Sequence, residues 1–191
     1  MSKRALELLA LPKDGVPKLL LDIGCRLGLS GKTITQNGHR WIRLDISTSM
    51  NNIALEREVA GYFILGDMGQ GLEFRLGMFD GAIGISTVQW LCYAVKSCHN
   101  PHLRLKSFFT SLYRCLTIGA RVVFPLNAES SDQLKLIGRA ALGAGFVGTF
   151  GVDHLGSWKK KERFLVLTCV ANTLLAKRED EGEENKRASL V

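Results

Sequence analysis

Short apolar runs and longer amphipathic stretches take turns along the chain. "PKLLLDIG" (17–24) is a continuous apolar run, the pattern of a strand covered on both faces. "HRWIRLDIS" (39–47) is a second such run ending in Asp45, and "YFIL" (62–65) and "FDGAIGIS" (79–86) give a third and a fourth. Between the first two, Leu29 to Asn37 reads as a short helix stopped at Gly38. After Ser47, "TSMNNIALEREVA" puts Met50, Ile53 and Ala54 on one helical face. In 102–116, Leu105, Phe108, Phe109, Leu112 and Leu116 recur at helical spacing, with Gly119 as the expected stop. "ARVVFPL" (120–126) is a fifth strand, and "SSDQLKLIGRAALGAG" (130–145) is a capped helix ending in glycine. "FVGTFGVDH" and "RFLVLTCV" follow with no helix between them, so they pair as a hairpin.

Repeated βα units predict a parallel sheet with helices on both faces, and the closing hairpin inserts one antiparallel strand. Residues 1–171 form the expected domain. The remainder, 172–191, is charged and nearly free of apolar residues, so it is expected to be disordered.

Composition narrows this little. At 191 residues the chain is long enough for one domain with a sizeable core, and 46% apolar is ordinary for a globular protein. No apolar run approaches the roughly 20 residues of a membrane span, so no membrane partner is expected. "MSKRALELLALP" is too short and too polar for a signal peptide. Five cysteines without a C-x-x-C pair read as buried thiols of a reduced intracellular protein rather than a disulfide framework. The net charge of +7 suits an acidic partner such as RNA.

The candidate chemistry starts at "LDIGCRLGLSG" (21–31). Gly24 and Gly28 fall just past the first strand, where an open α/β sheet binds its ligand. Asp45 ends the second strand 21 positions after Gly24, which suits a carboxylate gripping ribose hydroxyls. A nicotinamide loop needs G-x-G-x-x-G, and Arg26 and Leu29 stand at two of those three glycines. The adenosylmethionine pattern, acidic-x-G-x-G-x-G, reads Asp22, Gly24, Arg26, Gly28, with one element missing. A turn that serves packing alone is the third reading. Asp67 and Met68 follow the third strand: a carboxylate accepts from an adenine amino group, and Met offers a soft face to the ring. Ser86, Gln89 and Trp90 follow the fourth strand, nearest a transferring methyl group, with a hydroxyl, an amide and a stacking surface. Trp90 alone reads as core more often than as a base platform, and its place at the end of a central strand reverses that.

Across "LDIGCRLGLSG", "LDISTSM", "LGDMGQG", "FDGAIGISTVQWL" and "SSDQLKLIGRAALGAGFVG" the chain resembles the eukaryotic 18S rRNA (guanine-N7) methyltransferase family, a ribosome biogenesis family, from about Arg4 to Leu167. The resemblance implies a Rossmann-like class I methyltransferase fold with a mostly parallel seven-stranded sheet and S-adenosyl-L-methionine as cofactor. It implies Asp22, Gly24, Cys25, Gly28, Asp45, Ile46, Asp67 and Met68 as cofactor-binding residues. Ser86, Gln89 and Trp90 are implied at the reacting guanine, with no metal. It further implies rRNA as substrate and a nuclear, nucleolar and nucleoplasmic site of action, with the cytoplasm as a further location. The implied partner is a small zinc-binding activator subunit that adds a strand at Phe63, Ile64 and Leu65. From residues alone, "GYFILGD" reads equally as an ordinary short edge strand.

Four features depart from the family pattern. Arg26 stands for the central motif glycine. Arg43 stands for a small residue in the second strand. "PLNA" (125–128) replaces a Gln-x-Tyr-Pro stretch. The family has a further N-terminal segment and a basic C-terminal tail, where this chain has a mixed acidic and basic one. The alternative function is therefore a non-catalytic member that binds RNA or the activator without methyl transfer. Lys159, Lys160, Lys161 and Arg163 are its candidate phosphate contacts, or a solvated hairpin turn.

Overall fold

A computed structural model describes residues 1–24, 29–47, 62–127, 130–154 and 161–171. Seven strands form one sheet: β1 (Leu19–Ile23), β2 (Arg40–Asp45), β3 (Tyr62–Leu65), β4 (Phe79–Ile83), β5 (Leu116–Leu126), β6 (Phe146–His154) and β7 (Lys161–Cys169). Their order is β3-β2-β1-β4-β5-β7-β6. β1 to β5 pair in parallel, and β7 lies antiparallel between β5 and β6, as the alternation and the missing helix predict. The order reverses between β1 and β4, which opens a crevice beyond their carboxyl ends.

Period-2 alternation divides the core into two layers. Leu20, Trp41, Ile83, Val123 and Phe164 face one side and pack with Ala5 and Leu9 of α1 (Ser2–Leu9) and Ile34 of α2 (Leu29–Gln36). Leu21, Ile23, Ile42, Leu44, Val122 and Phe124 face the other, under α3 (Pro101–Cys115) and α4 (Ser131–Gly143). Both faces are covered, so β1, β4 and the end of β5 read as mostly apolar runs, broken only by Asp22 in β1 and Asp80 in β4. Asn100 caps α3 by accepting from Leu103 N, and Ser130 caps α4 by accepting from Gln133 N.

Two expectations change. α3 stops at Cys115, and Leu116 already belongs to β5, in register with Phe79. Phe79 holds it there, because its carbonyl also accepts from the Thr117 hydroxyl. The ladder then slips before Gly81 meets Arg121, and Gly119 (φ 86°) serves this irregularity rather than a helix end. The N-terminal stretch, weighed above only as a signal peptide, forms α1 and buries Ala5 and Leu9. The expected helix around Met50, Ile53 and Ala54, the tail 172–191, and Lys159 and Lys160 lie outside the described residues.

Candidate functional site

A cavity of about 450 Å³ lies in the crevice at the strand-order reversal. It is within the range of small-molecule sites. Successive strand ends build it: Ile23 and Gly24 at the end of β1, Leu44 to Ile46 at β2, Gly66 to Met68 after β3, and Ser86 and Thr87 after β4. His99 and Arg104 line the side nearest α3.

Of the residues singled out above, the cavity gathers Gly24, Asp45, Ile46, Asp67, Met68, Ser86 and Trp90. Asp45 is buried and its Oδ1 accepts from Ser47 N at 2.9 Å, an Asx turn that fixes the carboxylate at the strand end. Ile46 is exposed, and Met68 packs half-buried against the core. Trp90 is 63% exposed, with the Tyr93 ring 5.9 Å away and tilted, so it presents a stacking surface rather than filling the core. Ser86 sits at φ 53°, and its N–H donates to Pro125 O at 2.9 Å. The departure "PLNA" thus still supplies the backbone carbonyl that holds Ser86. Gln89 does not line the cavity. It is buried, and its carbonyl accepts from Gln133 Nε2 on α4. Cys25, Arg26 and Gly28 lie outside the described residues.

Gly24 has a local reason. Its φ is 63°, and a Cβ there would overlap the Thr87 side chain. Thr87 is buried, and a Cβ at Gly84 would come within 2.8 Å of its hydroxyl. Two glycines therefore leave room for one threonine at the base of the cavity.

Behind the cavity a row of side chains crosses three strands on the α1 face. Asp22 pairs in register with Arg43, and Arg43 with Phe63. Arg43 is 2% exposed, and its guanidinium lies 5.2 Å from the Phe63 ring centre, a cation–π contact. Asp22 is fully buried, accepts from Ser30 Oγ at 2.6 Å, and leaves Oδ1 without a partner among the described residues. Burial pushes its pKa up from the ordinary 3.8 to about 7; the Ser30 hydrogen bond opposes this, the Asp45 charge adds to it, and Arg43 opposes it.

Stability should respond. Between pH 4 and 7, roughly, the unfolded chain has lost this proton and the folded chain keeps it. The unfolding free energy contributed by Asp22 therefore falls as pH rises through that window, by at most about 1.4 kcal/mol per unit. Urea unfolding of wild type and Asp22→Asn at several pH values checks this. The variant should gain relative to wild type up to pH 7 and then level off; parallel curves would refute it.

The sequence reading missed Arg104. Its Nη2 and Nη1 donate to Asp67 Oδ1 and Oδ2 at 2.8 and 3.0 Å, and Nη1 also meets His99 Nε2 at 3.1 Å. Asp67 Oδ1 accepts from Gly69 N as well, capping a 3-10 turn over Met68–Gln70. Burial would raise the Asp67 pKa, but the Arg104 bonds, the Gly69 N–H and the nearby charges hold it below its ordinary value. A signal was available: Arg104, Ser107 and Ser111 form a polar stripe beside the apolar face of α3. Gly69 would clash with Arg104 if it carried a Cβ, Gly71 packs on Ser107, and Leu72 N donates to Ser111 Oγ at 2.9 Å.

At the sheet edge, Tyr62 is 80% and Leu65 53% exposed, and Ile64 is also exposed, whereas Phe63 is half-buried under Arg43. Cys115 and Cys169 are buried thiols, and burial pushes Cys115 up to about 12. Among the described residues no helix is long and apolar enough to cross a membrane.

Residues 21–124 match a methyltransferase domain family. An 18S rRNA (guanine-N7)-methyltransferase of Arabidopsis thaliana is 63% identical over 169 residues, which are 88% of this chain and 58% of that protein. One of Mus musculus is 50% identical over 189 residues, 99% of this chain and 67% of that protein. The 18S rRNA (guanine(1575)-N7)-methyltransferase of Saccharomyces cerevisiae is 47% identical over 154 residues, 80% of this chain and 55% of that protein. The chain thus spans between 55% and 67% of the length of these relatives. Among solved structures, a methyltransferase of Methanosarcina mazei superposes with TM-score 0.63 at 12% identity, covering 82% of this chain and 94% of its own. Geranyl diphosphate C-methyltransferase of Streptomyces coelicolor gives 0.66 at 15%, covering 88% and 79%. These last two likenesses concern the fold alone.

Proposed function

The chain belongs to the 18S rRNA (guanine-N7)-methyltransferase family, and from that membership we propose that it methylates guanine N7 in small-subunit rRNA, with S-adenosyl-L-methionine as methyl donor. The observation that carries this is the cavity at the strand-order reversal, where two carboxylates on neighbouring strand ends flank an apolar slot.

The residues fit the cofactor. Asp45 would accept from the ribose hydroxyls, Asp67 from the adenine amino group, and Leu44, Ile46, Met68 and Leu91 would cover the ring. Gly24 and Thr87 would bound the methionine end near Asp22, whose Oδ1 is a buried acceptor without a partner among the described residues. When bound, S-adenosylmethionine supplies an electrophilic methyl group. Guanine N7 carries an in-plane lone pair, so the protein need not remove a proton. Its task is to position the base and exclude water. A purine in RNA is reached by splaying it out, and Trp90 at the cavity mouth is the stacking surface for it, with Ser86 beside it. Gln89 would support this wall from behind, through α4.

The partner is a zinc-binding activator subunit adding a strand to β3, where Ile64 and Leu65 expose apolar side chains on an open edge. The site of action is the nucleus, at nascent small subunits.

The test is transfer of labelled methyl from S-adenosylmethionine to undermodified 18S rRNA, with the activator present, read by nucleoside mass spectrometry. The expected product is 7-methylguanosine, lost in Trp90→Ala. Cofactor binding without any product would favour the scaffold reading instead.

A further inference from the structure

The six-residue turn after β3 is held from α3, and what is held is the orientation of one carboxylate. Asp67 lines the cavity, yet most of its accepting capacity is already committed. Oδ1 accepts from Gly69 N at 2.9 Å and from Arg104 Nη2 at 2.8 Å. Oδ2 accepts from Arg104 Nη1 at 3.0 Å. An ionised carboxylate offers about four lone-pair sites. Three are taken, and the fourth, on Oδ2, remains for a ligand.

We propose that Arg104 is a positioning residue that fixes Asp67 as an ionised single acceptor and thereby selects a 6-amino purine over a 6-oxo purine in the cofactor. This rests on the cofactor reading above. The guanidinium forms a planar fork on the carboxylate, so the group can neither rotate nor turn a protonated oxygen to the cavity. An adenine amino group donates to the remaining site. A hypoxanthine ring brings a carbonyl oxygen to the same place, acceptor against acceptor, with no rotation available to relieve it.

Three further features support the fork. Both Arg104 and Asp67 are largely buried, with side chains 14% and 16% exposed, so solvent does not dissolve the pair. Gly69 leaves open the space the guanidinium fills: a Cβ there would lie within 2.6 Å of Arg104 Nε. His99 Nε2 accepts from Arg104 Nη1 at 3.1 Å and steadies the far side of the fork. A side chain at Gly69 in the "DMGQG" turn would therefore displace the guanidinium of an arginine 35 positions later.

The experiment titrates S-adenosylhomocysteine and its 6-oxo analogue, S-inosylhomocysteine, into the full chain by calorimetry. Wild type should prefer the adenine compound by about 100-fold or more, since a site built to accept from an N–H rejects the analogue lacking it. Arg104→Lys keeps the charge but not the fork, and should narrow that ratio by about tenfold. Gly69→Ala, which removes neither charged group but sets a methyl against the guanidinium, should narrow it similarly. The ratio compares two ligands on one protein, so a general loss of stability leaves it unmoved. An unchanged ratio in Gly69→Ala, or no preference in wild type that binds adenine, overturns the proposal and leaves the cofactor reading standing. Failure of wild type to bind either compound overturns both.

Discussion

Phe109→Ala lowers the unfolding free energy by about 3 to 5 kcal/mol. Phe109 has no solvent exposure, and its ring lies 5.0 Å from Phe108, 6.1 Å from Phe124 and 6.2 Å from Phe146. It therefore joins α3 to β5 and β6 at one point. Truncation removes the transfer term of a whole ring with two edge-type contacts and one tilted contact, and it leaves a cavity that the surrounding sheet and helices relax into only in part. The site would feel it too, because a Cβ at Gly84, beside Thr87, would already come within 2.7 Å of the Phe124 ring. Urea unfolding should show a lower midpoint with an unchanged slope. A loss below about 1 kcal/mol would mean that this cluster is not the centre of the core.

Asp45→Ala weakens S-adenosylhomocysteine binding by about 100-fold, or roughly 3 kcal/mol. Hydrogen bonds to an ionised partner contribute about 1.5 to 3 kcal/mol each, and a vicinal diol donates two to one carboxylate. The carboxylate is buried and held by Ser47 N, so little ordering remains when the ligand arrives. Calorimetry on wild type, Asp45→Ala and Asp45→Asn checks this, with Asn intermediate because it keeps one acceptor. A change smaller than threefold in Asp45→Ala would move the ribose elsewhere. The same substitution removes a charge that raises Asp22, so the pH window of that group should narrow in the variant.

Much of this site was legible in the sequence because strand ends announce themselves. An apolar run closed by Asp, twice, and a glycine at the end of the first run place Gly24 and Asp45 at one sheet edge without a single coordinate. The closing hairpin was legible for the same reason, as two runs with no helical period between them. Arg104 was not, because its partner is 37 positions away and the contact depends on how α3 crosses the sheet. Gln89 was read into the reacting pocket from its position after β4. The 3-10 turn over Val88–Cys92 carries it toward α4 instead, where Gln133 reaches its carbonyl. α1 escaped because an eight-residue helix has too few repeats for its period to stand out, and what stabilises it is burial of Ala5 and Leu9 on a sheet formed later in the chain. Arg43 reads as a misfit in an apolar strand, and only the register shows it lying between Asp22 and Phe63.

The most direct test of the account is titration of S-adenosylmethionine into this chain with the proposed activator subunit, beside an Arg26→Gly variant. The account predicts saturable binding at one site in both, weakened about 100-fold in Asp45→Ala. Binding by the glycine variant alone would contradict it, and would make this chain a methyltransferase fold without its cofactor.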